Sequence, residues 1–261
     1  MVALITGAST GIGAEFARQF AARGHDLVVV ARSEDRLDAL AKQLRAAHGV
    51  DVTVIAMDLS VPTAAGDLWQ QTDRLGLEIT VLVNNAGFGT HRDVADADPE
   101  RLEEEVRLNC LTLVGTTARY LPQMRARGGG AIINLASTAA FLPLPKMAVY
   151  GATKAFVLSF TEALWSEERR HGIRVLAVCP GLTETSFFEV AGDAAVKAAS
   201  GSAAVMFTRT PEQVVENTMR ALAGRKPSFV DGAANALVWR GFTKVVPRRL
   251  MIALSGWLIE G

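Results

Sequence analysis

The chain lacks most of what would mark it for an oxidising compartment, a membrane span or a polyanionic partner. Among 261 residues there are only two cysteines, Cys110 and Cys179, far apart and each in an apolar context. That excludes a disulfide framework and a C-x-x-C redox or metal motif, and fits buried thiols. The four histidines, His25, His48, His91 and His171, sit in connections without metal-ligand spacing, so no metal site is expected. His91 follows the fourth apolar segment, where it either approaches a pocket or is solvated. No run approaches the roughly eighteen uninterrupted apolar residues of a transmembrane helix, and a strand pattern begins at once at Val2; the expectation is a soluble, cytoplasmic protein. Lys plus Arg number 27 and Asp plus Glu 27, with no long basic stretch, which argues against nucleic acid as the main partner and for a small ligand. Neither repeat nor linker divides the chain, so a single domain over 1–261 is expected.

What is present is a regular alternation. Apolar runs at Val2–Thr6, Asp26–Ala31, Val52–Met57, Ile79–Val83, Ala131–Leu135 and Ile173–Val178 read as strands, with a short further one in the segment from Pro227. Helical patterns separate them. Ser33 supplies a capping hydroxyl for the second helix, the third starts near Thr63, and Asp98-Pro99-Glu100 starts a helix that carries Asn109 and runs to about Arg125. Strands that are continuously apolar belong to a parallel sheet covered on both faces, so the fold class is α/β, a Rossmann-type doubly wound sheet of about seven strands.

Two motifs carry chemistry. The glycine-rich turn Gly7-Ala8-Ser9-Thr10-Gly11-Ile12-Gly13 joins the first strand to the first helix and would aim backbone N–H groups at a pyrophosphate. The same residues match G-x-S-x-G, a hydrolase elbow that would make Ser9 a nucleophile; its place on the first strand, with His171 last of the histidines, argues against that. The second motif is Ser137, just past an apolar strand, followed by Tyr150 and Lys154 on one helix face. A cation held beside a phenol favours the phenolate and brings its pKa toward the useful range.

Taken together, Thr6 to Gly13, Asn84-Asn85-Ala86-Gly87, Asn109, Ser137, Tyr150, Lys154 and Pro180-Gly181 resemble the motifs of the short-chain dehydrogenase/reductase family, in order, over about Val2 to Thr185. Within that family the likeness is to bacterial ketoacyl- or hydroxysteroid-reductase-like members. The resemblance implies an NADP(H)- or NAD(H)-dependent oxidoreductase in which Tyr150 exchanges a proton with the substrate oxygen and Ser137 orients that oxygen. Lys154 would lower the Tyr150 pKa and hold the nicotinamide ribose, and Asn109 would anchor a water; alternatively Asn109 satisfies backbone groups at a helix irregularity. The cofactor would be held by Thr6, Gly7, Ser9, Thr10, Gly11, Ile12, Gly13, Asn85, Ala86, Gly87, Tyr150, Lys154, Pro180, Gly181 and Thr183. Asp58 with Leu59 would meet the adenine, unless Asp58 is a helix cap. At the end of the second strand Arg32-Ser33 stands where an NAD enzyme has an acid, so NADP(H) is expected in preference to NAD(H), with Glu34 and Asp35 in the next helix.

Apolar residues around the centre, Phe88, Phe141, Leu144, Leu182, Phe187 and Phe188, point to a lipophilic ketone or alcohol, steroid-like or acyl. Residues 186–232 are expected to hold a substrate lid and the last strand. The aromatic and basic tail, 233–261, completes an oligomer or covers the pocket, rests on a membrane surface, or is simply core. Family members form dimers or tetramers through the helices bearing Asn109 and Tyr150, so a homodimer or homotetramer is implied. A catalytically idle dinucleotide sensor or scaffold is the non-enzyme alternative; relatives of that kind lack the Tyr or Lys that this chain has.

Overall fold

A computed structural model describes residues 1–185, 187, 191, 208–237 and 246–252. Seven parallel strands form one sheet in the order β3-β2-β1-β4-β5-β6-β7: β1 (Val2–Thr6), β2 (Asp26–Ala31), β3 (Val52–Ala56), β4 (Ile79–Asn84), β5 (Gly130–Leu135), β6 (Ile173–Cys179) and β7 (Ser228–Val230). The connecting helices are α1 (Gly11–Ala21), α2 (Glu34–His48), α3 (Ala64–Arg74), α4 (Pro99–Val106), α5 (Leu113–Arg127), α6 (Ala148–Glu168) and α7 (Pro211–Leu222).

The strands are apolar throughout because each feeds two cores. Successive side chains of a strand point to opposite faces. Thus Ile5 and Val29 join Phe16, Phe20, Leu37 and Val214 on the side of α1, α2 and α7. Leu4, Val28 and Val30 join Leu68, Tyr120, Met124 and Leu164 on the side of α3, α5 and α6. The chain builds outward from β1 to β2 and β3, then returns to place β4 on the other side of β1. That reversal opens a crevice at the carboxyl ends of β1 and β4, where the glycine turn and Asn84-Asn85-Ala86-Gly87 both lie.

Some local expectations change. Asp98 caps α4 as expected, accepting from the Glu100 N–H at 3.1 Å, with Pro99 at the first helical position. The helix expected to carry Asn109 and run to about Arg125 contains a π turn at Arg107–Thr112, between α4 and α5, around Asn109 itself. Ser33 occupies the N-cap position of α2 but makes no side-chain capping bond. Asp58 is not a helix cap either: it accepts from the Ser60 N–H (2.8 Å) and hydroxyl (2.7 Å), closing a turn before α3. Phe188, most of the expected lid and much of the tail, including Trp239, Phe242 and Trp257, lie outside the described residues.

A buried polar ladder binds the sheet to the helices below the crevice. The Asn84 amide donates to Asn134 Oδ1 at 2.9 Å and to the Thr117 hydroxyl at 3.1 Å, while Thr116 donates to Asn84 Oδ1 at 2.8 Å. Asn134 in turn donates to the Thr161 hydroxyl at 2.9 Å. Every member has a partner, so the ladder fixes β4, β5, α5 and α6 without the cost of an orphaned amide.

Candidate active site

The glycine turn is locked from the β4 side. Thr6 Oγ1 accepts from the backbone N–H groups of Asn85 and Ala86, each at 3.0 Å, and donates to the Val83 carbonyl at 3.2 Å. The Asn85 amide donates to the carbonyls of Thr6 (2.9 Å) and Gly7 (3.2 Å). Carbonyls are thereby consumed, whereas the first N–H groups of α1 lack intrahelical partners, Thr10 makes no side-chain cap, and no acidic residue lies in the first turn. A Cβ at Gly13 would stand 2.1 Å from the Gly7 carbonyl oxygen and 2.5 Å from Asn85 Nδ2, so only glycine allows α1 to start this close to the turn. An uncapped helix N-terminus, free of anionic side chains and reached by bare backbone, fits a dinucleotide pyrophosphate.

Further out, Arg32 and Ser33 are exposed just past β2, and Glu34 and Asp35 belong to the first turn of α2. The Asp58 carboxyl is held below the usual carboxylate range: burial works against this, but the two Ser60 hydrogen bonds and the charge of Arg32 outweigh it. Arg32 and Asp58 therefore belong to one electrostatic neighbourhood. Leu59 points into the core, and its carbonyl accepts from Thr112 at 2.8 Å.

At the other end of the crevice β4, β5, α6 and the π turn bring together Asn109, Ser137, Tyr150 and Lys154. Asn109, buried in that turn, donates to the Phe88 carbonyl (2.9 Å) and the Thr153 hydroxyl (3.0 Å) and accepts from the Phe88 N–H (3.2 Å). Both readings given to Asn109 start from this place; the backbone-satisfying one describes these bonds directly. Gly87 is squeezed into the same corner, since a Cβ there would lie 2.8 Å from Asn109 Oδ1 and 3.5 Å from Lys154 Nζ. Ser137 Oγ accepts from the Ala139 N–H at 3.1 Å, and its hydroxyl stands near enough to the Tyr150 phenol to favour the ionised form. Lys154 is buried; its ammonium donates to the Leu135 carbonyl at 2.7 Å and lies 5.7 Å from the Tyr150 ring centre.

The electrostatics differ from the simple expectation of a cation lowering the phenol. Burial pushes Tyr150 up to about 12, only partly opposed by the Ser137 hydrogen bond. Although Tyr150 keeps some surface, its phenol is surrounded densely enough for desolvation to dominate. Burial also pushes Lys154 down to about 8, so the cation itself is easily lost.

Phe187 packs against Tyr150 with ring centres 5.1 Å apart, and Met147, unremarked in the sequence, meets both across Gly89. Leu144 lies against Gly151, and Phe141 packs on the cluster of Leu113, Val157 and Cys179. Phe88 is buried, with the Arg101 guanidinium 3.8 Å over its ring. Leu182 is half-buried, and buried Pro180 and Thr183 lie in the segment after β6, where the Pro180 carbonyl accepts from the Thr138 N–H at 2.9 Å and the Thr183 hydroxyl donates to the Gly181 carbonyl at 3.1 Å. His91 donates its backbone N–H to the Ala191 carbonyl at 3.1 Å. His171 precedes β6 whereas Ser9 follows β1, so in a parallel sheet they stand at opposite ends of the strands and cannot share a proton. No metal-binding cluster and no helix long and apolar enough to cross a membrane occur among the described residues.

Residues 1–196 match the family model for short chain dehydrogenase. A very-long-chain 3-oxoacyl-CoA reductase of Podospora anserina is 37% identical over 193 residues, 72% of this chain and 56% of the reductase. The chain thus spans little more than half the length of that relative. A short-chain dehydrogenase from Sphingobium yanoikuyae, solved in complex with NADPH, is 33% identical, with a TM-score of 0.82 over 95% of this chain and 96% of the other. A 7beta-hydroxysteroid dehydrogenase structure has a TM-score of 0.88 at 27% identity, over 97% of this chain and 96% of that one. With the family model covering three quarters of its length, the chain belongs to the short-chain dehydrogenase family of NAD(P)-dependent oxidoreductases.

Proposed function

We propose that the protein is an NADP(H)-dependent oxidoreductase that interconverts a lipophilic ketone and its secondary alcohol, with Ser137, Tyr150 and Lys154 as the catalytic group. The observation that carries this reading is the buried Lys154 ammonium, tied to the Leu135 carbonyl at the end of β5 and 5.7 Å from the Tyr150 ring, with Ser137 two residues past the same strand end, beside the crevice that the glycine turn opens. The nicotinamide cofactor, when bound, supplies or accepts the hydride. Tyr150 donates its phenolic proton to the carbonyl oxygen in reduction and takes it back in oxidation. Ser137 donates a hydrogen bond to the same oxygen and fixes its direction. A phenol with a pKa near 12 holds its proton at neutral pH and stands ready as an acid; acting as a base demands the Lys154 charge. Asn109 holds Phe88 and Thr153, and so the floor on which Lys154 stands, and would anchor a water toward Lys154.

Arg32 and Ser33 favour the 2'-phosphate of NADP(H), because the strand end offers a cation and a hydroxyl, Glu34 and Asp35 start α2, and Asp58 is engaged by Ser60. Phe187 and Met147 gather around Gly89 and Tyr150, and with Leu144 and Leu182 they would offer an acyl chain or a fused-ring ketone an apolar surface. The 3-oxoacyl-CoA and hydroxysteroid chemistries named for the relatives lie within that class. Leu111 and Phe156, 63% and 43% exposed on the π turn and α6, support a homodimer or homotetramer built on these helices. Following NADPH oxidation over a panel of carbonyls graded in chain length and ring size tests the proposal. Turnover that rises with apolar size is expected; none with any member, with NADPH bound, would leave the idle sensor.

A further inference from the structure

One buried ionisable group has no part in the scheme above. Glu105, in the last turn of α4, is 0% exposed, and neither carboxylate oxygen has a hydrogen-bond partner. The hydroxyl and N–H of Thr90, beyond β4, are near enough to favour its charged form, yet the Thr90 hydroxyl is itself buried without a hydrogen bond of acceptable geometry. Burial pushes the carboxyl up to about 7.

α4 packs against α6, and Lys154 lies among the buried residues of α6. Its ammonium is buried, is hydrogen-bonded to a carbonyl, and among the described residues forms no ion pair. A buried charge with no counter-charge tends to neutralise, and an opposite charge in the same enclosure prevents that. Three groups would each favour the charged Lys154 when ionised themselves: Cys110, Glu105 and Cys179. Cys110, pushed up to about 11 by burial, is a neutral thiol near pH 7. Glu105 is the carboxylate of the set. It is reached from its own helix by Arg101, which is one-third exposed and stacked on Phe88, from the π turn by Cys110, and from α6 by Tyr150 and Lys154. Arg101 pulls on Glu105 more strongly than Lys154 does, but from the solvent side, where water and salt screen it.

We propose that Glu105 is a positioning residue of the reaction centre, whose buried carboxylate is the counter-charge that keeps the Lys154 ammonium charged beside Tyr150. The consequence for catalysis rests on the oxidoreductase reading; the coupling between the two side chains does not. The carboxylate also opposes ionisation of Tyr150, so the pair favours a protonated phenol over a charged lysine, the state that reduction of a carbonyl requires.

The test is a titration of the full-length protein labelled with carbon-13 lysine, with Lys154 assigned by the resonance lost in Lys154→Met. In the unmodified protein the Lys154 ε-carbon is expected to titrate near pH 8. Glu105→Gln should lower that midpoint by about half a unit or more, and Glu105→Asp should restore part of it. A Glu105→Gln protein that melts normally but leaves the midpoint in place, or raises it, overturns the proposal. If Glu105→Gln fails to fold, the reciprocal titration decides: with carbon-13 glutamate, Lys154→Met should raise the Glu105 midpoint, and an unchanged value overturns the proposal. Neither titration uses substrate or cofactor, so absence of turnover would defeat the oxidoreductase reading alone.

Discussion

The Asn109 amide donates to the Thr153 hydroxyl at 3.0 Å, tying the π turn between α4 and α5 to the helix that bears Tyr150 and Lys154. The same side chain holds both backbone polar groups of Phe88. One residue thus sets the distance between three elements of the site. Asn109→Ala leaves the Phe88 N–H and carbonyl and the Thr153 hydroxyl short of partners in a dry environment. A loss of roughly 2–4 kcal/mol is expected, read as a fall in melting temperature of several degrees. Asn109→Asp sets a carboxylate oxygen against the Phe88 carbonyl and a Thr153 hydroxyl that already donates to the Tyr150 carbonyl, and should cost at least as much. A melting temperature unchanged in both variants would show that these bonds do not hold the site together.

Gly13→Ala should damage cofactor binding more than any conservative change elsewhere on α1. The added methyl meets a backbone oxygen at 2.1 Å, and a carbonyl cannot swing aside as a flexible side chain can. Calorimetry with NADPH should show at least a tenfold weaker binding, about 1.4 kcal/mol or more. Near-normal affinity would mean that the turn does not cradle the pyrophosphate.

Much of this site was legible because its parts are sequence-local. The glycine turn, Asn85-Ala86-Gly87 and the Tyr150–Lys154 spacing each declare themselves within eight residues, and the unbroken apolar runs of β1, β2 and β4 announced a sheet covered on both faces. What stayed hidden depends on contacts between distant segments. The π turn has no signature in Arg107–Thr112; it accompanies the ties from Asn109 to Phe88 and Thr153. Glu105 sits in the acidic run Glu103-Glu104-Glu105, which reads as a solvated face, and only the docking of α4 against α6 buries one carboxyl of the three. The spacing of Tyr150 and Lys154 reports a nearby cation but not the burial that pushes the phenol up.

Arg32→Ala should weaken NADPH binding by roughly ten- to a hundredfold and leave NADH nearly untouched, since a charge-assisted bond to a phosphate contributes about 1.5–3 kcal/mol. Fluorescence titration of both cofactors checks this. Equal affinity for NADPH and NADH in the unmodified protein would end the case for NADP(H).

Glu105 also predicts how stability varies with pH. Its folded value, about 7, lies above the 4.5 of a free carboxyl, so the folded protein binds the extra proton in between. The stability this contributes is complete below about pH 4.5, is lost as pH rises through 7, and then levels off. Across that window the unmodified protein should lose up to roughly 3 kcal/mol relative to Glu105→Gln, measured by denaturant unfolding at a series of pH values. Parallel stability curves for the two proteins would show that the carboxyl is not buried in its neutral form.

The central claim is that the Tyr150 hydroxyl carries the proton in an NADP(H)-dependent reduction, and Tyr150→Phe tests it by deleting one oxygen from a ring that keeps its packing against Phe187. With NADPH binding and turnover of a responsive carbonyl measured on the same preparation, binding should be retained within a few-fold while kcat falls by about a hundredfold or more. Turnover that survives the substitution at near its original rate would contradict the account.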